Sequence, residues 1–198
     1  MNKTIDEDWF EGLLRELHQA EQSARCHPAV EAERLGQSPP GRAMAAIAAH
    51  AEATRDPLAA LTRPFDPALE HSGDAAGELL SLFRRALADR PISTDRSYRA
   101  TLLGVAHGVD LVRMLAPLAA DHGHPEVATF CRRWLEERAP LLDDARAALD
   151  WFAAHPDPAA APVDAGPGGQ IGRWLIAGYE RLQALLDRAR PDDEEKAR

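Results

Sequence analysis

Two segments of this sequence each carry a histidine that is followed three residues later by an acid. The pairs are His18 with Glu21 and His107 with Asp110. Residues three apart on an α-helix lie on the same face, and imidazole and carboxylate groups are ligands that proteins use for iron and manganese. One hypothesis is therefore a metal site built from these four side chains, with oxidase or metal-handling chemistry.

Two arginines favour a second interpretation of the same acids. Arg55 and Arg138 fall on or beside the apolar faces of two further helical segments, and two arginines balance two acids. Buried charges persist only when they are paired and hydrogen-bonded, and an arginine competes with a cation for a carboxylate. We therefore expect a buried ion-pair cluster of Glu21, Arg55, Asp110 and Arg138, with no catalytic residue and no cofactor. If the helical phases differ from those assumed, some of these charges face solvent instead.

The elements that would position these residues are all helices. Apolar residues recur at spacings of three and four along the chain, and Ser/Thr caps and prolines separate the runs. No segment has the alternating, β-branched pattern that is typical of a strand. The predicted fold class is therefore all-α.

An internal similarity relates the two halves of the chain. The pattern aromatic-x3-Leu-Leu-x3-His-x2-acid-x6-Pro begins at Trp9 and again at Tyr98, an offset of 89 residues. The pattern Arg-x-Pro-Leu begins at Arg55 and again at Arg138, an offset of 83. Helical periodicity alone would give the apolar matches but not the shared His, acid, Arg and Pro. We therefore expect two similar helical hairpins that pack as a four-helix bundle.

This arrangement resembles the ferritin-like superfamily, particularly the small bacterial ferritin-like proteins linked to stress. The resemblance covers roughly residues 6–153 and depends on the order of the helices, the crossover between the hairpins and their similar pattern. It implies a bundle that holds two metal ions, with one Glu from each of two helices and Glu-x-x-His from each of the other two. Glu21 and Asp110 fit the single-acid positions.

The Glu-x-x-His positions depart from the family pattern. Glu52 is followed three residues later by Arg55, and neither Glu136 nor Glu137 has a histidine at that spacing. An arginine at this place would repel a cation. The metal-ligand pattern is incomplete, so the ion-pair cluster is favoured over a site for iron or manganese.

The predicted organisation has four parts. Residues 1–153 form the bundle with a short crossover helix at 75–89, and residues 154–170 form a linker rich in Pro, Ala and Gly. Residues 171–190 form an amphipathic helix, and residues 191–198 a charged tail. We expect the amphipathic helix to dock on its own bundle or on a second copy through an apolar face of Ile171, Trp174, Leu175, Leu182 and Leu186.

Composition limits the classes of function. The 198 residues carry a net charge of −9, which disfavours a nucleic-acid surface. Two cysteines are too few for a disulfide framework. Neither a signal peptide nor a run of about 20 uninterrupted apolar residues is present. We therefore expect a cytoplasmic protein that binds neither nucleic acid nor membrane.

Three functional hypotheses follow. The leading one is a non-enzymatic ferritin-like bundle that acts as a homo-oligomer or through a protein partner, with ion pairs in place of a di-metal site. The second is a metal-binding bundle with oxidase or metal-handling activity. The third is a carrier that holds an apolar ligand between its helices.

Overall fold

The computed structural model describes residues 5–65 and 93–163. Within these ranges the chain is mostly helical and has no strand; an isolated bridge joins Ser93 to Pro162. The all-α fold class is confirmed for this part of the chain. The helices, numbered in chain order, are α1 (Ile5–Leu35), α2 (Pro39–Thr62), α3 (Thr94–Asp121), α4 (Pro125–Ala147), α5 (Leu149–Ala154) and α6 (Pro156–Ala160).

The turn between α1 and α2 has a clear local cause. Gly36 has φ +56°, in the left-handed region that glycine enters without steric cost. The Ser38 side chain accepts a hydrogen bond from the Gly41 backbone N–H at 3.2 Å and so caps α2. Pro39 and Pro40 occupy the first turn of α2, where a missing N–H costs nothing. The chain therefore reverses within a few residues, and α1 packs on α2.

The four long helices pack around shared apolar side chains. Helix α1 contacts α2 and α3, and α4 contacts α3 and α2. Burying each large apolar side chain contributes about 1.5–3 kcal/mol, so this interior is the main source of stability. Its most deeply buried members include Leu14, Leu17, Met44, Ile47, Val112, Leu115 and Trp134.

The predicted linker is partly helical. Residues 156–160 form α6, with Pro156 in its first turn, where proline favours a helix. Beyond α6, the Thr94 backbone N–H and hydroxyl both donate to the Ala161 carbonyl, at 2.9 and 2.8 Å. The chain is therefore held beside the start of α3, and the predicted division at 154–170 stays a prediction. Positions 164–170, the predicted helices at 75–89 and 171–190 and the tail at 191–198 lie outside the described residues.

Helix α3 contains a long apolar stretch. An 18-residue window within it has a mean hydropathy of 1.4, long and apolar enough to cross a membrane, although half of that window is buried inside the fold. The buried core helix of a folded domain meets the same criteria. The expectation that the chain binds no membrane stays a prediction.

Candidate functional site

A buried carboxylate joins three helices in the interior. Glu21 on α1 is only 4% exposed. Its Oε2 accepts a hydrogen bond from the Thr54 hydroxyl on α2 at 2.8 Å and another from the Arg138 guanidinium on α4 at 3.0 Å. We call Glu21, Thr54, Arg138, His50 and Glu137 the buried ion-pair site.

Arg138 is almost fully buried, at 1% exposure. Its Nε donates to His50 Nδ1 at 2.9 Å, and its guanidinium carbon lies 4.8 Å from the centroid of the Trp134 ring. Burial lowers the pKa of Arg138, and Glu21 opposes that effect. Because the pKa of an arginine starts above about 12, the guanidinium stays protonated. The contact with Glu21 is therefore a charged, hydrogen-bonded pair.

His50 extends the site to the surface. Its Nδ1 accepts from Arg138, so in the neutral ring the proton lies on Nε2. Nε2 then donates to Glu137 Oε2 at 3.1 Å. Burial, followed by the charge of Arg138, lowers the pKa of His50, while Glu21 and Glu137 act in the opposite direction. The result is a hydrogen-bonded chain that runs from Glu21 in the core to the half-exposed Glu137.

The predicted four-residue cluster is wrong for two of its members. Arg55 is 46% exposed and pairs with neighbours on its own helix, Glu52 at 3.0 Å and Asp56 at 2.8 Å. Asp110 is 73% exposed and lies 3.3 Å from Arg113. Arg55 and Asp110 are each adjacent in sequence to a buried position. A shift of one position along a helix rotates the direction of the side chain by about 100° around the helix axis. The structure thus brings Glu21 and Arg138 together and leaves Arg55 and Asp110 at the surface.

The structure does not bring the four candidate metal ligands together. His18 Nε2 lies 2.6 Å from the Thr62 hydroxyl, which itself donates to a backbone carbonyl of α2. His107 is exposed, and its Nε2 lies 2.9 Å from Glu16 Oε1. Within residues 5–65 and 93–163, no group of three or more His, Cys, Asp or Glu side chains could hold a metal ion.

A second buried acid links α1 to α3. Glu31 is 2% exposed, accepts a hydrogen bond from the Ser97 hydroxyl at 2.6 Å and forms an ion pair with Arg34. Nearby in sequence, the Tyr98 hydroxyl donates to the Ala145 carbonyl at 2.8 Å and so joins α3 to α4. Burial raises the pKa of Tyr98. These contacts position the helices.

Sequence reasoning missed three residues of the buried ion-pair site. Thr54 was detectable, because it continues the spacing of Ile47, Ala51 and Leu58 along the apolar face of α2. His50 and Glu137 have no such signal, since each lies beside the apolar stripe of its helix. Their pairing depends on how α2 and α4 approach each other, which helical periodicity does not specify.

A cavity lies at the other end of the fold, where α2 ends and α3 turns into α4. Its volume is about 270 Å³, and its lining includes Leu61, Phe65, His124 and Val127. Phe65 and His124 also contact Phe10, with ring centroids 5.5 Å and 4.9 Å from the Phe10 ring. The wall of the cavity that Leu61, Phe65 and Val127 form is therefore apolar. The residues that line the cavity are not part of the buried ion-pair site.

Comparison with known proteins gives no relative for this chain: no family model, no curated protein and no solved structure matches it. The ferritin-like resemblance therefore stays a prediction from the sequence.

Proposed function

We propose that this chain is a non-enzymatic, ferritin-like four-helix bundle in which an ion pair takes the place of a di-metal site. In this proposal it acts through self-association or a protein partner rather than through chemistry in its core. The observation that carries the proposal is the contact between Arg138 and Glu21, both almost fully buried, at 3.0 Å.

The contact with Arg138 limits the ability of the Glu21 carboxylate to bind a metal ion. A metal ion at Glu21 would face a guanidinium at hydrogen-bond distance, and the two cations would repel each other. Displacing Arg138 would leave its charge buried without a partner, at a cost of several kcal/mol. An ion pair held in this way is a structural contact, which supports a role outside catalysis.

The proposed association is supported by large apolar side chains on the surface. Trp9 on α1 and Leu103 and Met114 on α3 are all more than half exposed. Exposed apolar residues that share a surface are typical of sites that contact another protein segment. In this proposal these three side chains hold the partner.

Metal addition tests the proposal. Protein purified without chelators is expected to melt at the same temperature with and without saturating iron(II), manganese(II) or zinc(II). A specific ion at 100 times its Kd would instead add about 2.7 kcal/mol of stability. Stabilisation that Glu21→Ala abolishes, and that the exposed control Asp143→Ala retains, would establish the metal-binding alternative and refute the proposal. Light scattering on the same samples measures self-association.

A carrier of a small apolar ligand is a second candidate, which the cavity of about 270 Å³ favours. Ligand pockets usually measure about 300–1,000 Å³, so the ligand would be no larger than a single aromatic ring system. Titration with indole as the probe tests this function, with Leu61→Trp as the variant that fills the cavity. Binding by the wild type that the variant loses supports the carrier, and no binding by the wild type counts against it.

A further inference from the structure

We propose that residues 171–186 dock on the surface that α1 and α3 of their own chain form together. We define this α1–α3 surface by Trp9, Leu103 and Met114. The inference deepens the proposed function, because it concerns the surface that the proposal assigns to association: the chain's own segment covers this surface until a partner or a second copy displaces it. A core with or without a metal site would leave the inference unchanged. It combines three observations: where the apolar residues of this surface lie, where the described chain ends, and the pattern of the segment that follows.

Two exposed apolar residues lie on one side of α3, with the exposed Asp110 between them on that side. Leu103 and Met114 are eleven residues apart, about three full turns, so they lie on one side of α3; they are 72% and 52% exposed. His107 lies between them on that side and contacts Glu16 of α1 at 2.9 Å. Trp9 precedes Glu16 by seven residues, about two turns. The contact between His107 and Glu16 therefore sets the Trp9 side of α1 beside the exposed side of α3.

The relative direction of α1 and α3 fixes the order along this surface. Glu31, near the end of α1, is bonded to Ser97 at the start of α3. Phe10, near the start of α1, stacks on His122 just beyond the end of α3, with ring centroids 6.2 Å apart. The helices are therefore antiparallel, and Trp9 lies towards the far end of α3. Trp9, seven residues before Glu16, is therefore level with Met114, seven residues after His107, so Leu103 lies at one end of the surface and Met114 and Trp9 lie together at the other.

The described chain ends beside the start of α3. Ala161 accepts two hydrogen bonds from Thr94, and Pro162 bridges to Ser93. Seven residues, 164–170, then precede Ile171, and seven residues reach at most about 25 Å. Leu103 lies nine residues into α3, about 14 Å from its start. Ile171 can therefore reach Leu103 without strain.

The segment that follows matches the surface in length and character. Its apolar residues recur at helical spacing from Ile171 to Leu186, which as a helix would span about 23 Å. The surface from Leu103 to Met114, with Trp9 beside Met114, spans about 17 Å along α3. Residues 171–186 lie outside the described residues, and their helical spacing is a feature of the sequence.

The tether favours the chain's own surface over that of a second copy. A short linker holds the segment at an effective concentration on the order of millimolar, well above the concentration of a second chain in most experiments. Any partner that binds the α1–α3 surface would have to displace the segment first.

Hydrogen exchange of the full-length chain, followed by mass spectrometry, tests the inference. Peptides from residues 171–186 should be protected in the wild type. The double variant Leu103→Glu/Met114→Glu should lose that protection by roughly tenfold or more, because docking supplies the free energy that slows exchange. The matched control is Ala49→Glu, at an exposed position on α2, and it should leave the protection unchanged.

Two further measurements keep the test decisive. Trp174→Asp alters only the segment and should give the same loss of protection, even if the double variant does not fold. Light scattering should report one chain at the concentration used for exchange. An unprotected segment in the wild type, protection that survives Leu103→Glu/Met114→Glu, or protection that appears only as a dimer forms would each overturn the inference.

Discussion

Replacing Arg138 with alanine should destabilise the fold strongly. The change removes the guanidinium that contacts Glu21 at 3.0 Å. The Glu21 carboxylate stays buried, and within the buried ion-pair site it keeps only the hydrogen bond from the Thr54 hydroxyl at 2.8 Å. It also removes the contact with Trp134 and the donor to His50. The main loss is thus an uncompensated charge in the core.

The size of the effect follows from burial. Removing one partner of a buried ion pair costs about 3–5 kcal/mol, a large share of the roughly 5–15 kcal/mol that stabilises a typical domain. At about 2–4 °C per kcal/mol for a chain of this length, the melting temperature should fall by about 6–20 °C. Arg55→Ala is the matched control on α2. Its pairs are half exposed, and such pairs contribute about 0–1 kcal/mol.

Urea unfolding followed by far-UV circular dichroism measures the difference. Arg138→Lys keeps the charge but cannot contact both Glu21 and His50, so an intermediate loss is expected, and this variant serves if Arg138→Ala does not fold. The double variant Glu21→Leu/Arg138→Met should recover most of the stability, since apolar replacement of a buried pair is often neutral. Equal losses for Arg138→Ala and Arg55→Ala, or a coupling with Glu21 below about 0.5 kcal/mol, would refute the reasoning.

Three further predictions concern other buried groups. Burial lowers the pKa of His50 below 6.5, so below that pH the unfolded chain binds a proton that the folded chain does not. The contribution of the neutral His50 imidazole to the free energy of unfolding is therefore fully present above pH 6.5 and is lost as the pH falls. His50→Gln should make the free energy of unfolding, measured with urea, less dependent on pH in this range. Burial raises the pKa of the Cys131 thiol to about 12, so a thiol reagent should label Cys26 in the native chain and both cysteines only after unfolding. Ser97→Ala should cost about 1.5–3 kcal/mol in urea unfolding, because it removes a hydroxyl from the buried Glu31; a loss below about 0.5 kcal/mol would contradict this.

The helices and the central pair could be predicted from the sequence because both depend on local periodicity. Glu21 falls four residues after Leu17 and three before Ala24, and Arg138 falls four after Trp134 and four before Leu142. Those spacings place each residue on the apolar face of its helix, and the structure buries both. A charge that interrupts an apolar stripe must find a partner, which made their pairing a physical expectation.

For Arg55 and Asp110, the other two members of the predicted cluster, the internal similarity gave the wrong register. At the offset of 89 the shared residue types of α1 and α3 align, but the buried positions align at 88, as with Leu14 and Leu102. The buried counterpart of Glu21 is therefore Val109 rather than Asp110. In α2 and α4 more of the buried positions align at 84 than at 83, and the offset of 84 places Thr54 opposite Arg138. A match of residue types between two helices does not determine their alignment to within one residue, whereas the pattern of buried positions does.

This register explains why one acid and one arginine suffice in the core. A cluster with a pair from each hairpin would bury four charges, and each buried ion costs several kcal/mol of desolvation. With Val109 and Thr54 at the equivalent places, this site buries a single ion pair, and the Thr54 hydroxyl gives Glu21 a second donor. A symmetric di-metal site would need an acid where Val109 stands. The asymmetry between the hairpins therefore lowers the electrostatic cost of the core and leaves Glu21 without the second carboxylate that such a site requires.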